Sequence, residues 1–148
     1  ALAPFVSHRR YHPATIRRTV LRLQKRHLVT WRKRGSEPVL ALTDAGRRQV
    51  LRHRLDTLSL KRAKRWDGRW RVVTFDIPEE RKAAREALRA KLRHLEFYQL
   101  QRSVFITPHD CREVVAFLKE FYDLGRCVQY LEASHIDCRK QLREHFDL

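Results

Sequence analysis

At 148 residues, with 43% hydrophobic residues and a formal net charge of +16, the chain is long enough for one or two small packed domains. Its pI near 10.8 points to a polyanionic partner. No run of about 18 apolar residues is present, so nothing reads as a membrane span, and no early apolar stretch is long enough to read as a signal peptide. Cys111, Cys127 and Cys138 are an odd number with no C-x-x-C spacing, which argues against a zinc site or a disulfide framework and fits reduced thiols in a cytoplasmic protein.

The charge is uneven. Residues 1–66 hold 18 Lys and Arg against 3 acids, and residues 67–148 hold 15 against 14. That asymmetry predicts two modules, with the polyanion held by the first. We divide the chain into residues 1–55, a basic linker at 56–69, and residues 70–148.

Residues 1–12 contain Pro4 and a basic cluster of His8, Arg9 and Arg10 and read as the remnant of a helix; the chain opens at Ala1 without an initiator Met, which reads as a fragment that has lost an earlier helix. Pro13 suits the first turn of the next helix. Ile16, Val20 and Leu23 then recur on one helix face up to Arg26. Thr15, Arg18, Arg22, Lys25 and Arg26 fall opposite, with Arg17 beside them, while Leu21 fits neither stripe. Leu28–Arg34 reads as a strand, Gly35 and Ser36 as a turn, and Pro38–Leu42 as the return strand. Thr43 is a plausible N-cap for a helix from Asp44 to about Leu55, in which Gly46 is an unfavourable residue.

Helix, basic-tipped hairpin, helix is the order of a winged helix-turn-helix. There the helix before the hairpin enters the major groove and the hairpin tip touches phosphates. The candidate DNA-binding residues are therefore Thr15, Arg17, Arg18, Arg22, Lys25 and Arg26 on the helix, and Arg32, Lys33 and Arg34 on the tip. A solvated basic face would carry the same charges; their placement opposite the apolar stripe, with a second cluster at the tip, favours DNA. The run V-L-A-L-T-D-A-G-R-R resembles the wing exit of winged-helix bacterial regulators.

The basic run Lys61–Arg65 suits either DNA backbone or solvent. Trp66 and Trp70 flank a tight D-G and read as a staple of linker to core, with base stacking as the alternative. Further on the pattern alternates. A strand covers Trp70–Asp76, and a helix Glu79–Leu95 buries Ala84, Leu88, Leu92 and Leu95. Strands follow at Phe97–Gln101 and Ser103–Thr107, a helix at Cys111–Leu124, a strand at Cys127–Leu131 and a helix at Asp137–Phe146. The fold class is α+β, an N-terminal winged helix followed by a ferredoxin-like βαββαβ domain. Arg81, Arg85, Arg89 and Arg93 form a ladder on the first helix of this domain; Arg81 and Arg85 are further DNA-binding candidates.

The stretch R-W-R-V-V-T-F-D-I-P-E-E-R, followed some twenty residues later by F-Y-Q-L-Q-R-S-V-F, resembles a ferredoxin-like domain shared by two groups. One is CRISPR-associated protein two, the small adaptation nuclease; the other is the PaaX-type transcriptional repressors, which carry a winged helix in front of it. A Gly is usual before the F-Y-Q strand, and Glu96 stands there, so the turn must differ. The nuclease resemblance makes Asp76, at the end of the first strand, the catalytic and metal-binding candidate. It would pair with its copy across a two-fold axis to hold Mg2+ or Mn2+. The alternative leaves Asp76 capping the next helix or pairing with an Arg. The two resemblances imply a homodimer on double-stranded DNA, acting as a PaaX-like regulator that reads two half-sites. On the nuclease side they imply a spacer-integration scaffold, partner of a CRISPR integrase subunit, or a metal-dependent endonuclease.

Overall fold

The computed structural model describes residues 12–62 and 65–148. It contains two compact units, Ala1–Arg54 and Leu55–Leu148. The reading of residues 1–12 as a helix remnant falls almost wholly outside the described residues, as do Ala63 and Lys64 of the basic run. Among the described residues are five α-helices and two antiparallel sheets, a mixed α+β architecture.

In the first unit, α1 (Pro13–Lys25) is followed by β1 (Val29–Arg34), β2 (Glu37–Leu42) and the start of α2 (Asp44–Asp56). The hairpin is in register from Val29↔Leu42 to Arg34↔Glu37. Gly35, at φ +64°, supplies the left-handed residue of its two-residue turn. Thr43 is the N-cap of α2 as expected: its hydroxyl accepts from the Gly46 amide at 3.0 Å and donates to the His27 carbonyl at 2.6 Å.

The second unit is built as β3 (Trp70–Phe75), a 3-10 turn (Glu79–Arg81), α3 (Lys82–His94), β4 (Tyr98–Gln101), β5 (Val104–Thr107), α4 (Arg112–Phe121), β6 (Val128–Ala133) and α5 (Arg139–His145). Its sheet order, β4-β5-β3-β6 with every neighbour antiparallel, is that of the expected βαββαβ unit. β3 alternates, so that Val73 and Phe75 pack with Leu88, Leu92, Phe105, Val115 and Leu118 under α3 and α4. On the opposite face Trp70 and Ile106 pack with Leu142 of α5.

The separate linker expected at 56–69 is corrected. Leu55, Leu58 and Leu60 pack against the core of the second unit. Trp66 lies 4.7 Å from Trp70, ring to ring, and its indole N–H donates to the Arg69 carbonyl. The two tryptophans are thus a staple within this unit, because their apolar area is larger than a solvated linker would leave exposed.

Glycine is scarce, and helix ends show the consequence. α1, α3, α4 and α5 each close with the amide two residues past the cap bonding back to the last turn: Leu28 to Leu23, Phe97 to Leu92, Leu124 to Lys119 and Leu148 to Arg143. That closure needs a left-handed residue, usually glycine. Here it is His27, Glu96, Asp123 and Asp147, all at φ between 52° and 63°. The departure at Glu96 therefore leaves the turn geometry of a glycine in place.

Arg71, only 8% exposed, is held by both oxygens of Asp67 at 2.7 and 2.6 Å and by the Pro108 carbonyl at 2.9 Å. Its guanidinium pulls the Asp67 carboxyl down to about 2, from an ordinary 3.8. A carboxyl with a depressed folded-state pKa stabilises above its unfolded pKa, and that contribution is lost as the pH falls. The window for Asp67 is therefore pH 3.8 down to about 2. Asp67→Asn should be less stable than the parent at neutral pH, and the gap should close across this window in urea titrations; a gap independent of pH would show that the charge is not what Arg71 holds.

Candidate nucleic-acid interface

Pro13 starts α1 with a preset φ, and His12 Nδ1 accepts from the Ala14 amide at 3.3 Å. Arg22 and Lys25 lie in the last turn, where positive charge suits the helix dipole. Val20 and Leu23 are half-buried, and Thr15, Arg17, Arg18, Arg22, Lys25 and Arg26 are exposed. At 100° per residue Arg18, Arg22 and Lys25 lie opposite Val20 and Leu23, with Thr15, Arg17 and Arg26 at the flanks. Arg32, Lys33 and Arg34 are exposed at the end of β1.

None of these eight cations has a hydrogen-bonded or ion-paired side chain among the described residues. Residues 1–54 hold 14 Lys and Arg and only two acids, Glu37 and Asp44, and Asp44 is paired with Arg47. The first unit thus keeps a strong positive field with little internal compensation.

The second unit treats its arginines differently. Arg81 donates to the Tyr122 and Asp123 carbonyls at 3.0 and 2.6 Å, so it closes the C-terminal end of α4. Arg85 donates to the Ile77 carbonyl at 3.0 Å and to Glu79 at 2.6 Å, which holds the Glu79 carboxyl below its usual range. Arg89 reaches the Arg102 carbonyl and Glu86. The ladder that reads in sequence as a phosphate grip is therefore committed to carbonyls and acids of its own unit.

Asp76 is exposed one residue beyond β3, its amide donating to the Cys127 carbonyl at 2.9 Å. Its carboxylate has no partner among the described residues; neither the cap nor the Arg pair is formed. Glu79 is tied to Arg85 and Lys82. No group of three His, Cys, Asp or Glu suited to a metal ion occurs among the described residues. Asp76 thus presents a free carboxylate at the end of β3, of the kind that suits Mg2+ or Mn2+.

Two exposed apolar residues in the basic region carried no functional reading in the sequence. Leu21, 53% exposed, sits inside the cationic arc of α1, and Trp31, 55% exposed, precedes the three cations of β1. Strand alternation is the signal that finds Trp31: it is on the face of Val29 and Lys33, beyond the buried end of the hairpin.

No helix among the described residues is long and apolar enough to cross a membrane. No curated protein matches the chain. Residues 63–144, which run from just before β3 into α5, match the PaaX protein central Cas2-like domain. With the βαββαβ sheet, Asp76 at the strand end and a basic helix–hairpin–helix unit in front, that match covers more than half of the chain, which therefore belongs to the PaaX family.

Proposed function

We propose that the protein is a PaaX-like transcriptional regulator that binds double-stranded DNA through a winged helix made by its first unit. The carrying observation is the contrast between the two units: Arg17, Arg18, Arg22, Lys25, Arg26, Arg32, Lys33 and Arg34 are exposed and without acid partners, whereas Arg71, Arg81, Arg85 and Arg89 are held internally. In this reading α1 lies in the major groove, with Thr15 and the arginines at base edges and phosphates, and the tip of the hairpin neutralises backbone charge. The second unit joins two copies so that two half-sites are read at fixed spacing. β6 is one of the two outer strands of its sheet, and Leu131 on it is 50% exposed, which supports pairing with a second copy.

Each phosphate contact contributes about 0.9 to the slope of log affinity against log salt. Arg18→Ala with Arg22→Ala should weaken binding to operator-bearing duplex and lower that slope by about 2. An unchanged slope and affinity would count against α1 as the DNA-binding helix.

The free carboxylate of Asp76 favours a second reading, a CRISPR-type adaptation protein that bridges an integrase or cleaves DNA with Mg2+ or Mn2+. Such a centre needs Asp76 from two copies. Metal-dependent cleavage that disappears in Asp76→Ala and in EDTA would establish it; a salt-sensitive shift without cleavage, equal in both proteins, would leave the regulator.

A further inference from the structure

The hairpin has two unlike faces. Val29↔Leu42, Trp31↔Leu40 and Lys33↔Pro38 line one; Thr30↔Ala41, Arg32↔Val39 and Arg34↔Glu37 line the other. On the first face burial stops at Val29, and Trp31, Leu40 and Leu42 are 55%, 40% and 39% exposed. A single exposed apolar side chain is ordinary, but a contiguous group with a tryptophan at its centre marks a contact surface. The indole of Trp31 has no ring stacking, cation–π or hydrogen-bond partner among the described residues, whereas Trp66 and Trp70 pack on each other.

The charge around this face decides what covers it. Lys33 shares this face with Trp31, whereas Glu37, the sole acid in the hairpin, lies with Arg32 and Arg34 on the other. A covering surface must therefore be anionic and also present apolar area. A nucleic-acid strand does both, since each phosphate is joined to an apolar deoxyribose. At about 3.3 Å per residue along a strand, Trp31 and Lys33 are about 7 Å apart, roughly two base-pair rises along the axis of a DNA duplex. Bases in a duplex are stacked on each other, so the sugar is the apolar surface within reach.

We propose that Trp31 is a non-ionic DNA contact, its indole lying against the deoxyribose of the strand whose phosphate Lys33, on the same hairpin face, neutralises. The inference rests on the DNA-binding reading above and adds a residue whose contribution is independent of both salt and sequence.

The test uses the full chain with Trp31→Ala, Trp31→Phe and Arg32→Ala, one labelled duplex of arbitrary sequence, and a salt titration between about 50 and 200 mM. Far-UV circular dichroism checks that each variant keeps its fold. Aromatic contacts to nucleic acid contribute enough that Trp31→Ala should lose about tenfold in affinity at every salt concentration. Its line should run parallel to the parent's, Trp31→Phe should keep most of the affinity, and Arg32→Ala should lower the slope by about 1. Acrylamide quenching of the parent should fall when duplex is added, because Trp31 is the most exposed of the three tryptophans. Equal affinity of Trp31→Ala and parent, a slope change like that of Arg32→Ala, or quenching unaffected by bound DNA would overturn the proposal and leave the DNA-binding reading standing. Absence of any binding by the parent would overturn that reading itself, and the Trp31 contact with it.

Discussion

Gly46→Ala is expected to unfold the first unit while the second stays folded. A Cβ at this position would meet the Leu28 carbonyl oxygen at 2.0 Å and its carbon at 2.9 Å. The obstacle is backbone, and it is pinned: the same Leu28 oxygen accepts from the Thr43 amide at 3.0 Å, one turn from the Gly46–Thr43 cap bond. Relief therefore requires moving the hairpin away from α2 and breaking one of these bonds. Overpacking usually costs about 1–3 kcal/mol and more against a fixed backbone; the gain in helix propensity from Gly to Ala is about 1 kcal/mol and does not offset it. Leu28 and Val29 are the buried hydrophobic residues of this unit among those described, so it has little other packing to draw on. Hydrogen exchange should show lost protection across residues 28–54 and retained protection across 70–133. A variant with parental protection in the hairpin would show that α2 and β1 are not in this close approach.

Phe105→Ala should have the largest effect on the second unit. Phe105 is fully buried, paired with Val73 of β3 on one side and with Gln99 of β4 on the other. Its ring lies 6.0 Å from that of Phe75, and the Arg89 guanidinium rests 5.9 Å above the Phe75 ring. Removing the ring leaves a cavity at the centre of the sheet, where the fixed ladder cannot collapse around it. Such truncations cost about 3–5 kcal/mol, a large part of the roughly 5–15 kcal/mol that holds a domain. The fully buried Trp70 reports on the same unit, so its fluorescence in a urea titration reads the loss directly. Phe105→Leu should lose clearly less, since it keeps most of the volume. A loss under about 1 kcal/mol for the alanine variant would mean that the core repacks freely.

Much of this architecture was legible from the chain. Strand and helix periodicity placed every element of the second unit to within a few residues, because its strands alternate cleanly and its helices carry regular Leu and Val stripes. Thr43 was legible as a cap because its hydroxyl chemistry is local. What failed was anything that depends on a partner far along the chain. Arg81, Arg85 and Arg89 look like an outward ladder by spacing, yet their partners are carbonyls at 122–123, 77 and 102, which no helical wheel shows. Gly46 looked like a weak helix residue, when its role is to let Leu28 approach. The stretch 56–69 looked like a linker because its charge masks Leu58, Leu60 and Trp66.

β3 is the first strand of its sheet to be made, yet both of its neighbours, β5 and β6, come later. On the ribosome the first unit can emerge complete while Trp70–Phe75, rich in β-branched and aromatic residues, waits with both edges unpaired. It stays so on one side until residue 133 has left the exit tunnel. A chain stopped before Val128 would expose that edge permanently, a template for pairing with other chains. Termination between Phe75 and Val128 should therefore give an aggregating product.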